Sequence, residues 1–181
     1  MSERIMPLTS ANGGVEIRPL QPAAWELHKR LRLAALAEAP HAFTTQLAEV
    51  ATRSDAEWAA ITAQRASDPH GVTYFAFVQD EPCAMAACVL TELGAEMLAV
   101  WVAPTHRQQG VGQALVDYAR QWARARGVDA LVVGVYADNA DAVRFYTRAG
   151  FESTGVERFA APTQQRPILM LAMALMSEPG E

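Results

Sequence analysis

The stretch VAPTHRQQGVGQALV, residues 102–116, limits what this chain can fold into more than any other. It joins an apolar run, EMLAVWV, to an amphipathic run that places Val111, Leu115, Tyr118 and Trp122 on one stripe. That is a strand turning sharply into a helix. Glycine is unfavourable inside helices, so Gly110 and Gly112 at the mouth of this one imply a close approach to the backbone. A helix start presents unpaired N–H groups and the positive end of its dipole. With side chains removed at both glycines and the charge of Arg107 nearby, a phosphate or pyrophosphate is the natural guest. A tight strand-to-helix turn asks for the same glycines. The segment also lacks the Lys-Ser/Thr of a P-loop and the third glycine of a dinucleotide fingerprint.

The rest of the chain supplies a sheet for this unit. VEIRPL reads as a short first strand stopped by Pro19. A helix follows over 22–39, entered through Pro22, and a second opens at Ser54, whose capping-box partner is Glu57. VTYFAFVQD and PCAMAACVL read as two tightly joined antiparallel strands, and AEMLAVWV as a central third. The glycine-led helix runs to about Arg126 and ends at Gly127. DALVVGVY is a strand, and DNADAVRFYTRAG is a helix capped by Asp138 or Asn139. FESTGVE and PILMLAMAL close the chain as strands, the second also helix-like by composition. The expected fold is one α/β domain over 14–176, a mixed sheet flanked by about four helices, with a flexible leader at 1–13 and a tail at 177–181.

Composition narrows the partners. The 181 residues suit one domain, with 51% hydrophobic and 19% charged residues. A net charge of −5 argues against nucleic acid and, through steering, favours a cationic acceptor. Cys83 and Cys88 are expected as core thiols on opposite faces of a strand, with no companion cluster for a metal. With no apolar run long enough to span a bilayer and no signal core, the expected place is the cytoplasm, away from membranes.

Two segments in order carry a family likeness. Val102, Pro104, Arg107, Gly110 and Gly112 match V-x-P-x-x-R-x-x-G-x-G, and Asn139, Ala142, Phe145, Tyr146, Gly150 and Phe151 match N-x-x-A-x-x-F-Y-x-x-x-G-F. In these the chain resembles the GCN5-related N-acetyltransferase (GNAT) family, in element order over about 15–175. The resemblance implies a central sheet splayed after EMLAVWV, with the pantetheine arm of acetyl-CoA lying in the split against the backbone of Val100, Trp101 and Val102. It implies a pyrophosphate on the N–H groups of Gln108, Gln109, Gly110, Val111, Gly112 and Gln113, beside Arg107.

The implied activity is acetylation of a primary amine on a small molecule, with acetyl-CoA as cosubstrate and no metal. Such an amine, with a pKa of about 10.4, is almost wholly protonated at neutral pH, and deprotonating it costs on the order of 4–5 kcal/mol. A base or a water chain is therefore expected. Tyr146, by its place in the motif, is the candidate acid for the departing thiolate, unless it merely packs beside Phe145. Asn139 either caps its helix or also bonds CoA. For the base, Glu96 and Glu92 flank the start of the central strand, and either also reads as a solvated strand-end charge.

Family members that acetylate ribosomal-protein amino termini carry a Glu five residues before the motif Asn, where this chain has Gly134, which weakens a protein N-terminal acceptor. The alternatives are a protein lysine or N-terminal acetyltransferase and a catalytically silent CoA-binding sensor. With no cysteine placed as a nucleophile, direct transfer is expected over a covalent route. The first two helices and their connection, with Pro40, His41 and Phe43, should shape the acceptor site, and PILMLAMAL offers an edge for a homodimer.

Overall fold

The computed structural model describes residues 8–9, 14–160 and 165–175. Eight strands form one sheet in the order β1-β2-β3-β4-β5-β6-β8-β7. They are β1 (Leu8–Thr9), β2 (Val15–Pro19), β3 (Gly71–Val78), β4 (Glu81–Thr91), β5 (Gly94–Val102), β6 (Ala130–Tyr136), β7 (Glu152–Arg158) and β8 (Ile168–Ala174). All neighbours are antiparallel except β5 and β6. β1 lies within the expected leader and pairs with β2 through Leu8–Ile17 and Thr9–Glu16. The remaining leader residues and the 177–181 tail lie outside the described residues.

Five α-helices cover the sheet: α1 (Trp25–Glu38), α2 (Leu47–Ala51), α3 (Asp55–Ala66), α4 (Val111–Arg124) and α5 (Ala140–Arg148). α1 begins later than expected, because Pro22 sits in the turn ahead of it. α3 carries its capping box, with Glu57 N–H donating to Ser54 Oγ at 3.3 Å and Ser54 N–H to Glu57 Oε2 at 2.7 Å. α2 has five residues, too few to leave a periodic pattern in the sequence. β3 and β4 are joined through Gln79 and Asp80, both at positive φ (51° and 63°), the twist that a two-residue hairpin turn requires.

The two faces of the sheet carry separate cores. α4 packs Val111, Leu115, Tyr118 and Trp122 against Ala84, Ala86 and Cys88. α1 and α3 pack Leu31, Leu36 and Trp58 against Phe75, Met85 and Trp101. Cys83 and Cys88 share the α4 face, contrary to simple alternation. β4 is bulged there, Ala76 opposing Ala84 while Phe77 opposes Pro82, so Cys83 is an extra residue that resets the parity. Burial pushes the Cys83 thiol up to about 11 and the Cys88 thiol up to about 12, so both are inert.

β8 corrects a second expectation. It lies between β6 and β7 and presents no free edge. The edge at that end of the sheet is β7, whose largely exposed sequence ESTGVER is interrupted by a bulge between Ser153 and Glu157. Such an edge is a poor template for another strand.

Candidate active site

The sheet opens along β5. Ala95, Glu96 and Met97 pair with Leu131, Val132 and Val133 of β6, and the pairing ends there. On its other side β5 stays with β4 through a bulge, since Ala87 opposes Leu98 while Met85 opposes Trp101. Ala99, in that bulge, is held at a φ of 52°, a left-handed conformation that costs a non-glycine residue about 1 kcal/mol or more. The bulge bends β5 away from β6. Beyond it, Ala103 N–H donates to Cys83 O at 2.8 Å. Because alternate residues of a strand point their backbone groups to opposite edges, Ala103 and Trp101 face β4, while Val100 and Val102 face the split. Of the three residues expected along the pantetheine arm, Trp101 is therefore turned away, its indole N–H donating to Glu38 Oε2 at 2.9 Å.

After β5 the chain reaches the helix mouth. Gln108 and Gly110 both take positive φ (60° and 81°), curling the loop before α4. The first backbone bond of this helix start is Ala114 N–H to Gly110 O at 3.0 Å, which leaves the N–H groups of Val111, Gly112 and Gln113 without helical acceptors. A Cβ placed on Gly110 meets nothing within 4 Å among the described residues, so this glycine opens space and supplies its φ. Gly112 has another reason: a Cβ there would stand 3.1 Å from Phe145 Cζ, so α5 packs into the notch.

Arg107 does not point freely at this mouth. It donates from Nη2 to Glu38 Oε2 at 2.6 Å and from Nε to Val102 O at 3.0 Å, tying the end of α1 to the end of β5. Although burial would raise it, hydrogen bonds from Trp101 and Arg107 hold the Glu38 carboxyl below its ordinary value. Gln109 and Gln113 bond Thr105 O (2.8 Å) and Asp117 Oδ1 (3.1 Å), which leaves their main chains as what they can offer an anion.

The split leads into a cleft of about 410 Å³, bounded by β5, β6 and α5 on one side and by α1, Phe43 and α3 on the other. Tyr146 of α5 lines it, 5% exposed, with its ring edge-on to Phe145 (5.0 Å) and Phe151 (5.3 Å). Burial, with the Cys88 thiol second, raises the phenol pKa well above its ordinary value, so the hydroxyl keeps its proton at neutral pH. Asn139 also lines the cleft, and its Oδ1 accepts from Ala142 N–H at 3.1 Å as the cap of α5.

Glu96 lines the same cleft, its side chain 15% exposed and held by Arg158 at 3.2 Å. Glu92 does not. It lies exposed in the turn between β4 and β5, where Thr91 Oγ1 donates to Gly94 O, and leaves Glu96 as the carboxylate of the pair that faces the cleft. Gly134 faces the cleft as well, and a Cβ there would lie 2.9 Å from Ile168 Cγ2.

The far wall holds residues the sequence reading passed over. Arg32, Arg53 and Arg65 line the cleft beside His28 and Trp58. His28 Nδ1 lies 2.9 Å from Thr62 Oγ1, and burial, then the charges of Arg65 and Arg32, lower its pKa to about 4. The signal for Arg32 was present: His28, Leu31, Ala35 and Leu36 form the buried stripe of α1, and Arg32 falls inside that stripe.

Fold and cleft together define a class, that of the splayed-sheet acyltransferases. The family model described as "Acetyltransferase (GNAT) family" matches residues 33–151, and the chain belongs to that family and is an acetyltransferase. It is 31% identical over 108 residues (58% of this chain, 73% of the relative) to the ribosomal protein bS18-alanine N-acetyltransferase of Escherichia coli K12. It is 41% identical over 56 residues (31% of this chain, 30% of the relative) to the streptothricin acetyltransferase of Streptomyces lavendulae. The spermidine N-acetyltransferase of Vibrio cholerae, solved with CoA and spermine, superposes with a TM-score of 0.73 over 91% of this chain and 97% of its own, at 15% identity, a likeness of fold. No helix among the described residues is long and apolar enough to cross a membrane, and no cluster of metal-ligating side chains occurs among them.

Proposed function

We propose that the protein transfers the acetyl group of acetyl-CoA directly to the primary amine of a small molecule. The observation that carries this reading is the course of the opening: the β5–β6 split runs into a cleft walled by α1, Phe43 and α3. A walled cleft of that size suits a small acceptor. The residues present fit acetyl-CoA. The backbone of Val100 and the N–H of Val102 face the split and are open to an amide-bearing arm, the Val102 carbonyl being taken by Arg107, and the open position at Gly110 leaves the α4 N–H groups accessible to a pyrophosphate.

The chemistry follows from the groups in the cleft. The acceptor nitrogen, as a neutral amine, forms a bond to the thioester carbon. The charge that develops on the carbonyl oxygen is met by a backbone N–H on the split edge of β5. As the carbon–sulfur bond breaks, the Tyr146 hydroxyl gives its proton to the sulfur. The proton shed by the amine leaves through Glu96 or water. Neither cysteine lines the cleft, consistent with transfer in one step.

A protein amino terminus is the second reading, favoured by the identity to the bS18-alanine enzyme. Against it stands Gly134, where Ile168 fills the space a side chain would need. Calorimetry with acetyl-CoA, then thiol release with pools of small amines and of peptides, tests both. Micromolar binding and release with the small amines bear the proposal out. Release with peptides alone moves the assignment to a protein acceptor, and absence of acetyl-CoA binding defeats it.

A further inference from the structure

Net charge and local charge disagree in this protein. The chain carries −5 overall, yet the acceptor wall of the cleft is lined by Arg32, Arg53 and Arg65. None of the ion pairs among the described residues involves these three. The carboxylates near them in sequence are engaged elsewhere: Asp55 pairs with Lys29, Asp68 accepts from His70 N–H, Glu49 accepts from Gln46 N–H, and Glu57 caps α3 through Ser54, with the Arg53 charge a lesser influence on it. Across the cleft, Glu96 is matched by Arg158.

Two of the guanidiniums are held against aromatic faces, Arg32 over Phe43 at 5.0 Å and Arg53 over Trp58 at 5.7 Å. Arg32 Nη1 is buried and donates to nothing among the described residues. A buried charged donor without an acceptor is strongly unfavourable, so its presence on a cleft wall marks a place for an anion. Burial, then the charges of Arg65 and Arg53, lower the Arg32 pKa, an independent sign that like charges face one another there. The cluster belongs to the α1/α3 face, whereas Gly110 leads into α4, which packs on the other face, so the two anion-ready features serve different groups.

We infer that the acceptor is an amine that also carries an oxyanion, a carboxylate or a phosphate, which Arg32, Arg53 and Arg65 recognise. This rests on the acetyl-transfer reading and deepens it. The arrangement has a second effect on the reaction. A cationic wall disfavours the ammonium form of an amine bound beside it, so the same residues that hold the oxyanion help supply the neutral nucleophile.

The test is thiol release from acetyl-CoA with three pools: α- and ω-amino acids, aminoalkyl phosphates, and a control pool of amino-acid amides and polyamines. Wild type is compared with Arg32→Gln and with Arg65→Ala, the latter at an exposed position that leaves the core intact. Calorimetric binding of acetyl-CoA and a thermal melt are run on every protein. The expected result is a kcat/KM at least about tenfold higher for one of the two oxyanion pools than for the controls. In the variants this preference falls by about tenfold to a hundredfold, with acetyl-CoA binding unchanged. Which oxyanion pool responds tells carboxylate from phosphate. Preference of the wild type for amides or polyamines overturns the inference and leaves the acetyl-transfer reading standing. So does an equal loss on all pools in both variants, or no release from any pool by a protein that binds acetyl-CoA. Failure to bind acetyl-CoA removes the acetyl-transfer reading itself, and this inference with it.

Discussion

Acidification should loosen the acceptor wall through one residue, His28. It sits on α1, 4% exposed, bonded to Thr62 Oγ1 at 2.9 Å and edge-on to Trp58 at 5.6 Å. Burial first, and the charges of Arg65 and Arg32 next, move its pKa from 6.5 to about 4. The folded value lies below the unfolded one, so the unfolded chain takes up a proton at higher pH than the native state does. His28 thus contributes stability that is complete at neutral pH and is lost as the pH falls from 6.5 toward 4. At about 1.36 kcal/mol per unit, the full loss is roughly 3 kcal/mol, of which about 2 kcal/mol is gone by a pH of about 5. Urea unfolding followed by tryptophan fluorescence, on wild type and His28→Gln at several pH values, measures this directly. Other acids titrate in both proteins and cancel in the difference. The stability gap between wild type and variant should shrink by roughly 2 kcal/mol from a pH of about 7.5 to about 5. Parallel pH profiles for the two proteins would refute the reasoning, because His28 would then titrate alike in both states.

Three other outcomes concern transfer, cofactor binding and packing at the α4 mouth. Tyr146→Phe keeps the ring contacts with Phe145 and Phe151 and removes the hydroxyl, so the melting temperature should hardly move while kcat falls by about 10²-fold or more. A kcat within twofold of wild type would end the acid role. Gly110→Glu and Gly112→Leu should separate two effects that the sequence merges. The first places a carboxylate at the α4 mouth and weakens acetyl-CoA binding at least tenfold, with about 1 kcal/mol of strain from the positive φ. The second drives a side chain into Phe145 and lowers stability by about 1–3 kcal/mol, read in a thermal melt beside the calorimetric titration.

Most of the element order was legible because each piece declares itself locally: Ser54 and Glu57 cap α3, and the stripe of Val111, Leu115, Tyr118 and Trp122 makes α4. The glycine segment was legible as a helix mouth, but not the reason for each glycine, since Gly112 answers to Phe145, more than thirty positions away. What pairing decides was hidden. The bulge that puts Cys83 and Cys88 on one face, the enclosure of β8 by β6 and β7, and the bulge at Ala99 all depend on neighbours that no local pattern names. Glu96 and Glu92 looked equivalent because a hairpin turn between them could not be placed to the residue. The arginines were visible as a charge inside the apolar stripe of α1 and as Arg65 one turn beyond Ile61 and Thr62. Their shared cleft appears only when α1 and α3 pack side by side.

The split between β5 and β6 makes the native state an open account in thermodynamic terms. Three residue pairs join the two halves of the sheet, and past Met97 the edge of β5 has hydrogen-bonding capacity that no strand among the described residues takes up. Any molecule that pairs with that edge binds the folded chain and not the unfolded one, so it stabilises the fold by an amount that grows with the logarithm of its concentration. Measured stability of this protein is therefore a function of its surroundings: the resistance of the two half-sheets to parting rises with the supply of a ligand that bridges them and falls when that ligand runs out.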